Sequence, residues 1–179
     1  MIAILWNVRS IHNVASIFRT SDAVGVKKIY LVGITPTPRD RVGDLRPDFY
    51  KVALGAERTV PWESLSFTKA KKMLLMFRQR GLSIVAVEQH KRSKPYFQLP
   101  CKYKFDKLVL LVGNEVKGLP ANLLKVPDKI LEIPMHGKLL KHPEHLKNQH
   151  PRHRMGKESL NVSVAFGVVA FGLRYRLCN

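Results

Sequence analysis

Polar residues suited to holding a phosphate or a ribose share one edge of a predicted helix near the start of the chain. The helix is expected to run from about Asn13 to Val24, with Gly25 closing it. Ser16, Arg19 and Thr20 lie three, six and seven residues beyond Asn13, on the same edge. An amide and a guanidinium in the first turns of a helix can bind a phosphate or ribose. The alternative is that Asn13 only caps the helix and Arg19 is an ordinary surface residue.

A second group of polar residues follows an apolar stretch, in the sequence Leu110-Leu-Val-Gly113-Asn114-Glu115-Val-Lys-Gly118-Leu119. Gly113 would let a ligand approach the backbone closely. Glu115 stands just past a buried strand, where a charge without a partner is costly. The spacing does not match a phosphate-binding P-loop, and no Gly-x-Gly-x-x-Gly occurs, so NTPase and dinucleotide-binding functions lose support. The alternative is that these residues only form the turn that follows the strand.

A third group lies toward the C-terminus, in Ile133-Pro-Met135-His-Gly137 and in Ser159-Leu-Asn161-Val-Ser-Val-Ala165. Proline cannot donate to a sheet ladder, so Pro134 is expected to end a strand. Ser159 is expected to cap the helix that follows, which places Asn161 in its first turn. Capping alone would also account for both polar residues.

The elements that position these residues alternate between short β-rich runs and helical patterns. Near-continuous Val, Ile and Leu predict strands that are covered on both faces. Helices are predicted for 13–24, for 66–80 with Ser66 as the cap, and for about 160–175. The predicted strands are Ile2–Leu5, Lys28–Val32, Leu82–Val87, Leu108–Val112 and Ile130–Ile133. This alternation predicts an α/β fold with a mostly parallel sheet flanked by helices, formed as one domain over 1–179.

Charge and composition indicate the class of partner. Lys and Arg number 31 against 13 Asp and Glu, which gives a formal net charge of +18 and suits a polyanion such as RNA or DNA. No stretch approaches a membrane span and the N-terminus lacks a signal-peptide pattern, so a cytoplasmic location is expected. Cys101 and Cys178 have neither disulfide-framework nor metal-ligand spacing. General solubility or attraction to a membrane surface is the alternative explanation of the charge.

Together the three motifs, spread from Asn7 to about Arg174, resemble the SpoU/TrmH family of the SPOUT methyltransferases. In order and type they are similar to its motif 1 (Asn, then Arg-Thr), motif 2 (Gly-Asn-Glu-x-x-Gly-Leu) and motif 3 (Ile-Pro-Met-x-Gly, then Ser-Leu-Asn-Val-Ser-x-Ala). The resemblance implies a C-terminal trefoil knot, a homodimer and S-adenosylmethionine-dependent methylation of RNA at a ribose 2'-hydroxyl. The segment 51–62 also resembles the tRNA-modifying branch, so tRNA is favoured over rRNA.

The resemblance also implies roles for individual residues. Arg19 matches the family's catalytic arginine, and its supporting polar residues fall on Asn13, Glu115, Ser159 and Asn161. The cofactor pocket is implied at Gln89, Gly113, Ile133, Met135 and Leu160. A guanidinium is a poor base because its pKa exceeds about 12. We therefore expect Arg19 to clamp the target phosphate and to stabilise the developing alkoxide, while Asn13 fixes the orientation of Arg19. Asn161 or Arg19 is expected to be the partner of Glu115.

The RNA-binding surface is expected on the catalytic domain and across a dimer, because the chain has no separate RNA-binding domain of the kind found in some relatives. A polar loop from Gly33 to Pro47 follows the second predicted strand, at the edge where such sheets bind ligands. The basic candidates are Arg9, Arg39, Arg41, Arg46, Lys51, Arg58, Arg174 and Arg176. A solvated surface loop is the alternative for the segment 33–47.

The third motif is split by an added segment, 139–157. Removing it restores an unbroken Ile-Pro-Met-His-Gly-Lys-Glu-Ser-Leu-Asn-Val. Its histidines, His142, His145, His150 and His153, lack thiol partners, and Pro143 disrupts a helical face, so no metal is expected. Two interpretations of this segment remain: a basic loop that contacts RNA, or an insertion without a functional role. The split also leaves an alternative function, a non-catalytic RNA-binding or assembly protein that keeps the methyltransferase fold.

Overall fold

The computed structural model describes residues 1–136 and 159–177, so the added segment 139–157 and Cys178 lie outside the described residues. Seven strands are found in this part of the chain: β1 Ile2–Trp6, β2 Lys28–Val32, β3 Trp62–Leu65, β4 Ser83–Val87, β5 Lys94–Pro95, β6 Leu108–Val112 and β7 Lys129–Glu132. Its α-helices are α1 Ile11–Val24, α2 Pro47–Ala53, α3 Ala56–Thr59, α4 Phe67–Gln79 and α5 Val162–Leu177. No described helix is both long enough and apolar enough to cross a membrane.

The strands form one sheet in the order β3-β2-β1-β6-β4-β7-β5, and every strand pair is parallel. The predicted α/β fold with a mostly parallel sheet is therefore confirmed. The chain leaves β1 toward β2 on one side and later returns to β6 on the other. Neighbouring strands that diverge in this way create a crevice at the carboxyl edge of a sheet, where ligands of α/β proteins bind.

Apolar side chains cover both faces of the sheet, as the near-continuous Val, Ile and Leu runs predict. Along β1 the side chains alternate: Ala3 and Leu5 face one core, and Ile4 and Trp6 face the other. The first core contains Phe18 of α1, Phe49 of α2 and Phe166 of α5, and the second contains Leu74 and Phe77 of α4. The long α1 and α5 thus pack on the same face, which brings their polar ends together.

Two strands and two short helices were not predicted. The edge strands β3 and β5 each pair with one neighbour, and α2 and α3 are too short to show a full apolar stripe. The prediction of a loop over 33–47 holds up to Arg46, because α2 begins at Pro47. The helix start at Asn13 was wrong. Ser10 caps α1, and its hydroxyl accepts a hydrogen bond from the Asn13 N–H.

Candidate cofactor and RNA site

A cavity of about 300 Å³ lies at the carboxyl edge of the sheet, beyond the ends of β4, β6 and β7 and beside the start of α5. All five residues proposed for cofactor binding line it: Gln89, Gly113, Ile133, Met135 and Leu160. Their positions in the sequence are far apart, and the parallel strands bring them together. A volume of this size lies at the lower end of the range of small-molecule sites.

The lining of this cavity combines exposed apolar side chains with carboxylates. Met135 and Leu160 are 38% and 37% exposed, so both present apolar surface that a ligand in the cavity could cover. Glu88, Glu115 and Glu132 line the same cavity against one lysine, Lys117. The cavity is therefore acidic in a chain whose net charge is +18. Neither Glu88 nor Glu132 was predicted, because neither belongs to a motif that the sequence shows.

Hydrogen bonds hold two of these carboxylates in place. Glu88 accepts hydrogen bonds from the backbone N–H groups of Gln89 at 3.1 Å and Leu119 at 2.8 Å. Glu132 accepts one from the hydroxyl of Ser93. The turn beside them is tight, since a Cβ on Gly113 would lie 2.7 Å from the carbonyl carbon of Gly118. Gly113 is thus required by the protein's own turn.

Glu115 joins the end of β6 to the beginning of α1. Its carboxylate accepts hydrogen bonds from the backbone N–H groups of Arg9 and Ser10 at 2.9 and 3.0 Å, and from the Asn13 amide at 2.9 Å. Burial by itself raises the pKa of Glu115, but these three hydrogen bonds outweigh burial and lower the pKa below its ordinary value. Glu115 is therefore an anchored anion at the N-terminus of α1, where a negative charge is favourable.

A chain of amides continues from Glu115 to α5. Asn13 accepts a hydrogen bond at 3.0 Å from the side-chain amide of Asn161, and Asn161 accepts bonds from the backbone N–H and hydroxyl of Ser163. The prediction that Ser159 caps the last helix was wrong: α5 begins at Val162, and Asn161 occupies the cap, with its carbonyl accepting from the Ala165 N–H. Ser159 instead lies in a bend and lines the cavity.

Arg19 lies apart from this network. Its side chain is exposed on α1, and within residues 1–136 and 159–177 it makes neither a hydrogen bond nor an ion pair. Two expectations are therefore corrected. The direct side-chain partner of Glu115 is Asn13, with Asn161 one hydrogen bond further on, and among the described residues no hydrogen bond joins Asn13 to Arg19. As far as the described residues show, the solvent-facing guanidinium can contact an external group.

Comparison with known proteins places this geometry in context. Residues 1–140 match the SpoU rRNA Methylase family. The chain belongs to this family. The recognition made from the three motifs is therefore confirmed.

Several relatives have names or titles that state an activity. The tRNA (guanosine(18)-2'-O)-methyltransferase of Aquifex aeolicus is 29% identical over 92% of this chain and 64% of that protein. The 23S rRNA (guanosine-2'-O-)-methyltransferase RlmB of Pseudomonas putida is 29% identical over 96% of this chain and 57% of that protein. The chain thus spans about six tenths of the length of these curated relatives.

Solved structures of the SpoU family share the fold. An AdoMet-bound rRNA methyltransferase from Sinorhizobium meliloti has a TM-score of 0.75 and 26% identity, and it covers 98% of this chain and 56% of its own. The Aquifex aeolicus TrmH/SpoU tRNA-modifying enzyme has a TM-score of 0.72 and 28% identity, over 98% of this chain and 74% of its own.

The basic residues proposed for RNA binding in this SpoU family member differ in their surroundings. Six of them are exposed: Arg9, Arg39, Arg41, Lys51, Arg58 and Arg176. Two of the exposed residues also make contacts within the protein: Arg39 donates to the Gly43 carbonyl at 2.8 Å, and the Arg58 guanidinium lies over the Tyr50 ring at 5.7 Å. Arg46 and Arg174 are half-buried, and Arg174 lies over the Phe105 ring at 4.9 Å. The exposed residues are the better placed to contact a phosphate.

The four histidines considered as zinc ligands, His142, His145, His150 and His153, lie outside the described residues. Within the described ranges, no three His, Cys, Asp or Glu residues group closely enough to hold a metal ion.

Proposed function

We propose that this chain is an S-adenosylmethionine-dependent RNA methyltransferase that methylates a ribose 2'-hydroxyl. The observation that carries the proposal is the carboxyl-edge cavity, in which the five residues expected from the family resemblance meet beside the anchored Glu115. The names of relatives from Aquifex aeolicus and Pseudomonas putida, both 2'-O-methyltransferases, support the same chemistry.

The cavity residues fit the proposed cofactor. Apolar cover from Ile133, Met135 and Leu160 suits an adenine ring and a thioether chain, and backbone groups of the strand ends can pair with the edges of the adenine. The three carboxylates suit a methyl donor whose sulfonium and ammonium groups are both positive. When bound, the cofactor supplies an electrophilic methyl group. The similar structure of an AdoMet-bound rRNA methyltransferase from Sinorhizobium meliloti is consistent with this assignment.

The chain's own residues then have to orient the ribose and manage its proton. The exposed guanidinium of Arg19 is the proposed clamp on the target phosphate, and it stabilises negative charge that develops on the 2'-oxygen. The proton leaves to water, because a cationic guanidinium donates hydrogen bonds and has no lone pair that could accept it. Glu115 is a positioning residue and not the base, because its oxygens already accept three hydrogen bonds and its pKa is lowered.

RNA is the proposed partner, with tRNA favoured over rRNA on the resemblance of segment 51–62 to the tRNA-modifying branch. Relatives named for tRNA and for 23S rRNA both occur, so each RNA belongs in the assay. The exposed Arg9, Arg41, Lys51, Arg58 and Arg176 would neutralise phosphates, and the overall charge of +18 would favour association with either RNA.

The proposed assembly is a homodimer of single-domain chains (1–179), each with a C-terminal trefoil knot and an added segment at 139–157, acting in the cytoplasm. An exposed apolar stripe on α5, formed by Val164, Val168 and Tyr175, supports the dimer, since these residues are four and seven positions apart and share one helix face. The family resemblance supports the knot, and the motif that re-forms when 139–157 is removed supports a single domain.

Two measurements on the purified full chain test this function. Calorimetric titration with S-adenosylmethionine and its homocysteine product measures cofactor binding. Transfer of labelled methyl groups to tRNA and to rRNA, followed by nucleotide mapping, measures the reaction and its site. Failure to bind either ligand at millimolar concentration would refute the enzymatic function. Cofactor and RNA binding without transfer would instead support the non-catalytic alternative.

A further inference from the structure

A second cavity, of about 490 Å³, lies among the loop after β2, α3 and the start of β3. It shares no lining residue with the carboxyl-edge cavity. Its walls include the indole of Trp62, the arginines Arg39 and Arg58, and the carboxylate of Glu57. The proposed methylation reaction makes no use of this cavity.

Glu57 is the unusual feature of this second cavity. Its side chain is 3% exposed, and neither carboxylate oxygen has a hydrogen-bond partner in the described part of the chain. The nearest cation is the Arg58 guanidinium, whose Nε lies 3.6 Å from Oε1, beyond ordinary hydrogen-bond length, on a side chain that is 70% exposed. A buried carboxylate without hydrogen bonds is costly, and a ligand with N–H donors could offset that cost. Both oxygens are covered in this conformation, so a ligand reaches them only after a neighbouring side chain moves.

We propose that this cavity binds an unpaired guanine base of the RNA, with the two oxygens of Glu57 accepting hydrogen bonds from the guanine N1–H and 2-amino groups. The proposal rests on the proposed function, because it assumes an RNA substrate. Guanine has two adjacent donors on its Watson–Crick edge, which match two unpaired acceptors. Adenine and cytosine present an acceptor beside their amino group, and uracil flanks its single N–H with carbonyls, so each would place an oxygen or nitrogen lone pair against the carboxylate.

The surroundings favour a nucleobase over a small cation. Trp62 and Arg58 line the cavity with Glu57, so an indole and a guanidinium, both flat groups suited to stacking on a base, are part of its wall. Arg39, which lines the cavity and is exposed, suits a phosphate of the strand that carries the base. Because Arg58 is the exposed group beside Glu57, its rotation is the movement that admits the base.

The second cavity lies close enough to α1 for a single RNA strand to contact both Arg19 and Glu57. The Thr59 hydroxyl at the end of α3 donates a hydrogen bond to Asp22 at 2.7 Å, and Asp22 lies one turn beyond Arg19 on α1. An RNA clamped at Arg19 can therefore continue toward α3. Since the two cavities are separate, the guanine held by Glu57 is a different nucleotide from the one that is methylated.

Short single-stranded oligouridylates with one central guanosine, inosine or adenosine test the proposal by fluorescence anisotropy with the full chain. Inosine differs from guanosine only by the missing 2-amino group. We expect the guanosine oligonucleotide to bind about tenfold more tightly than the inosine one, as a bidentate base contact does. Equal binding of all three by the wild-type protein would overturn the proposal without any need for a variant.

Glu57→Gln replaces one acceptor with an N–H donor and should abolish the preference for guanosine. Glu63→Gln is the matched control, because Glu63 lies on β3 outside the cavity, in an exposed pair with Lys28 at 2.7 Å. That variant should keep the preference. A Glu57→Gln protein that keeps the guanosine preference, whether or not it is less stable, would give Glu57 a purely structural role and overturn the proposal.

Binding of S-adenosylmethionine by the same preparations separates this inference from the proposed function. A protein that binds the cofactor without preferring guanosine fails only the inference about Glu57. Guanosine preference without cofactor binding would refute the enzymatic function alone.

Discussion

Replacing Glu115 with Gln tests how the carboxyl edge is held together. The carboxylate joins β6 to the N-terminus of α1 through the N–H groups of Arg9 and Ser10 and the amide of Asn13. Glutamine has nearly the same shape, so the substitution removes the charge and one acceptor without opening a cavity. Its NH2 group would face either the Arg9 N–H or the Ser10 and Asn13 donors.

The expected loss follows from these contacts. A hydrogen bond to a charged group contributes about 1.5–3 kcal/mol, against about 1 kcal/mol for a neutral one. In the better rotamer the amide oxygen keeps the bonds from Ser10 and Asn13 as neutral bonds, and the bond from Arg9 is lost. Because the Arg9 bond is exposed, water replaces much of it. The substitution also removes the favourable interaction of the carboxylate charge with the N-terminus of α1. Together these losses should lower the free energy of unfolding by about 2 kcal/mol.

Urea unfolding at neutral pH, followed by circular dichroism, measures this change. Glu63→Gln is the matched control, because its exposed ion pair with Lys28 should contribute less than about 1 kcal/mol. A Glu115→Gln protein as stable as that control would show that the anchoring role assigned to Glu115 is wrong.

The pH dependence provides a second readout of the same variant. Since the pKa of Glu115 is lowered in the folded protein, its stabilising contribution is present above the ordinary glutamate value of 4.5 and is lost as pH falls through the lowered folded value. The stability difference between wild type and Glu115→Gln should therefore be largest at neutral pH and shrink in acid. A difference that grows in acid would contradict the sign of the shift.

Other predictions concern the cofactor, the clamp and the RNA. Arg19→Lys should reduce turnover at saturating RNA on the order of a hundredfold, since an ammonium cannot reproduce a bidentate phosphate contact, and near-wild-type turnover would exclude the clamp. Gly113→Ala should weaken calorimetric binding of S-adenosylmethionine at least about tenfold, because the new Cβ would meet the backbone of Gly118 at 2.7 Å and displace the turn. Gly167→Ala is its control, as a Cβ there meets Thr20 at an ordinary 3.7 Å, and equal binding by both variants would contradict the argument. RNA affinity should fall with salt at a log–log slope of about −4 if about six phosphates are neutralised, and a flat response would argue against the basic surface.

The covered strands and the long helices followed from local sequence alone. Near-continuous Val, Ile and Leu predicted β1, β2, β4, β6 and β7 to within one residue, because strands buried on both faces need apolar side chains at most positions. Ser66 correctly indicated the start of α4. The edge strands β3 and β5 escaped prediction, since each is stabilised by a single neighbour that local sequence does not show.

The motifs determined which residues to consider, and tertiary structure decided which of them meet. Glu115 and Asn13 are 102 positions apart, and only the pairing of β1 with β6 sets the carboxylate beneath the first turn of α1. The same packing joined Asn13 to Asn161 and left Arg19 facing solvent. Residue types record what a side chain can donate or accept. The partner of a side chain depends on strand order and on the packing of α1 against α5. That arrangement is set by the burial of apolar surface from the whole chain, which local sequence does not show.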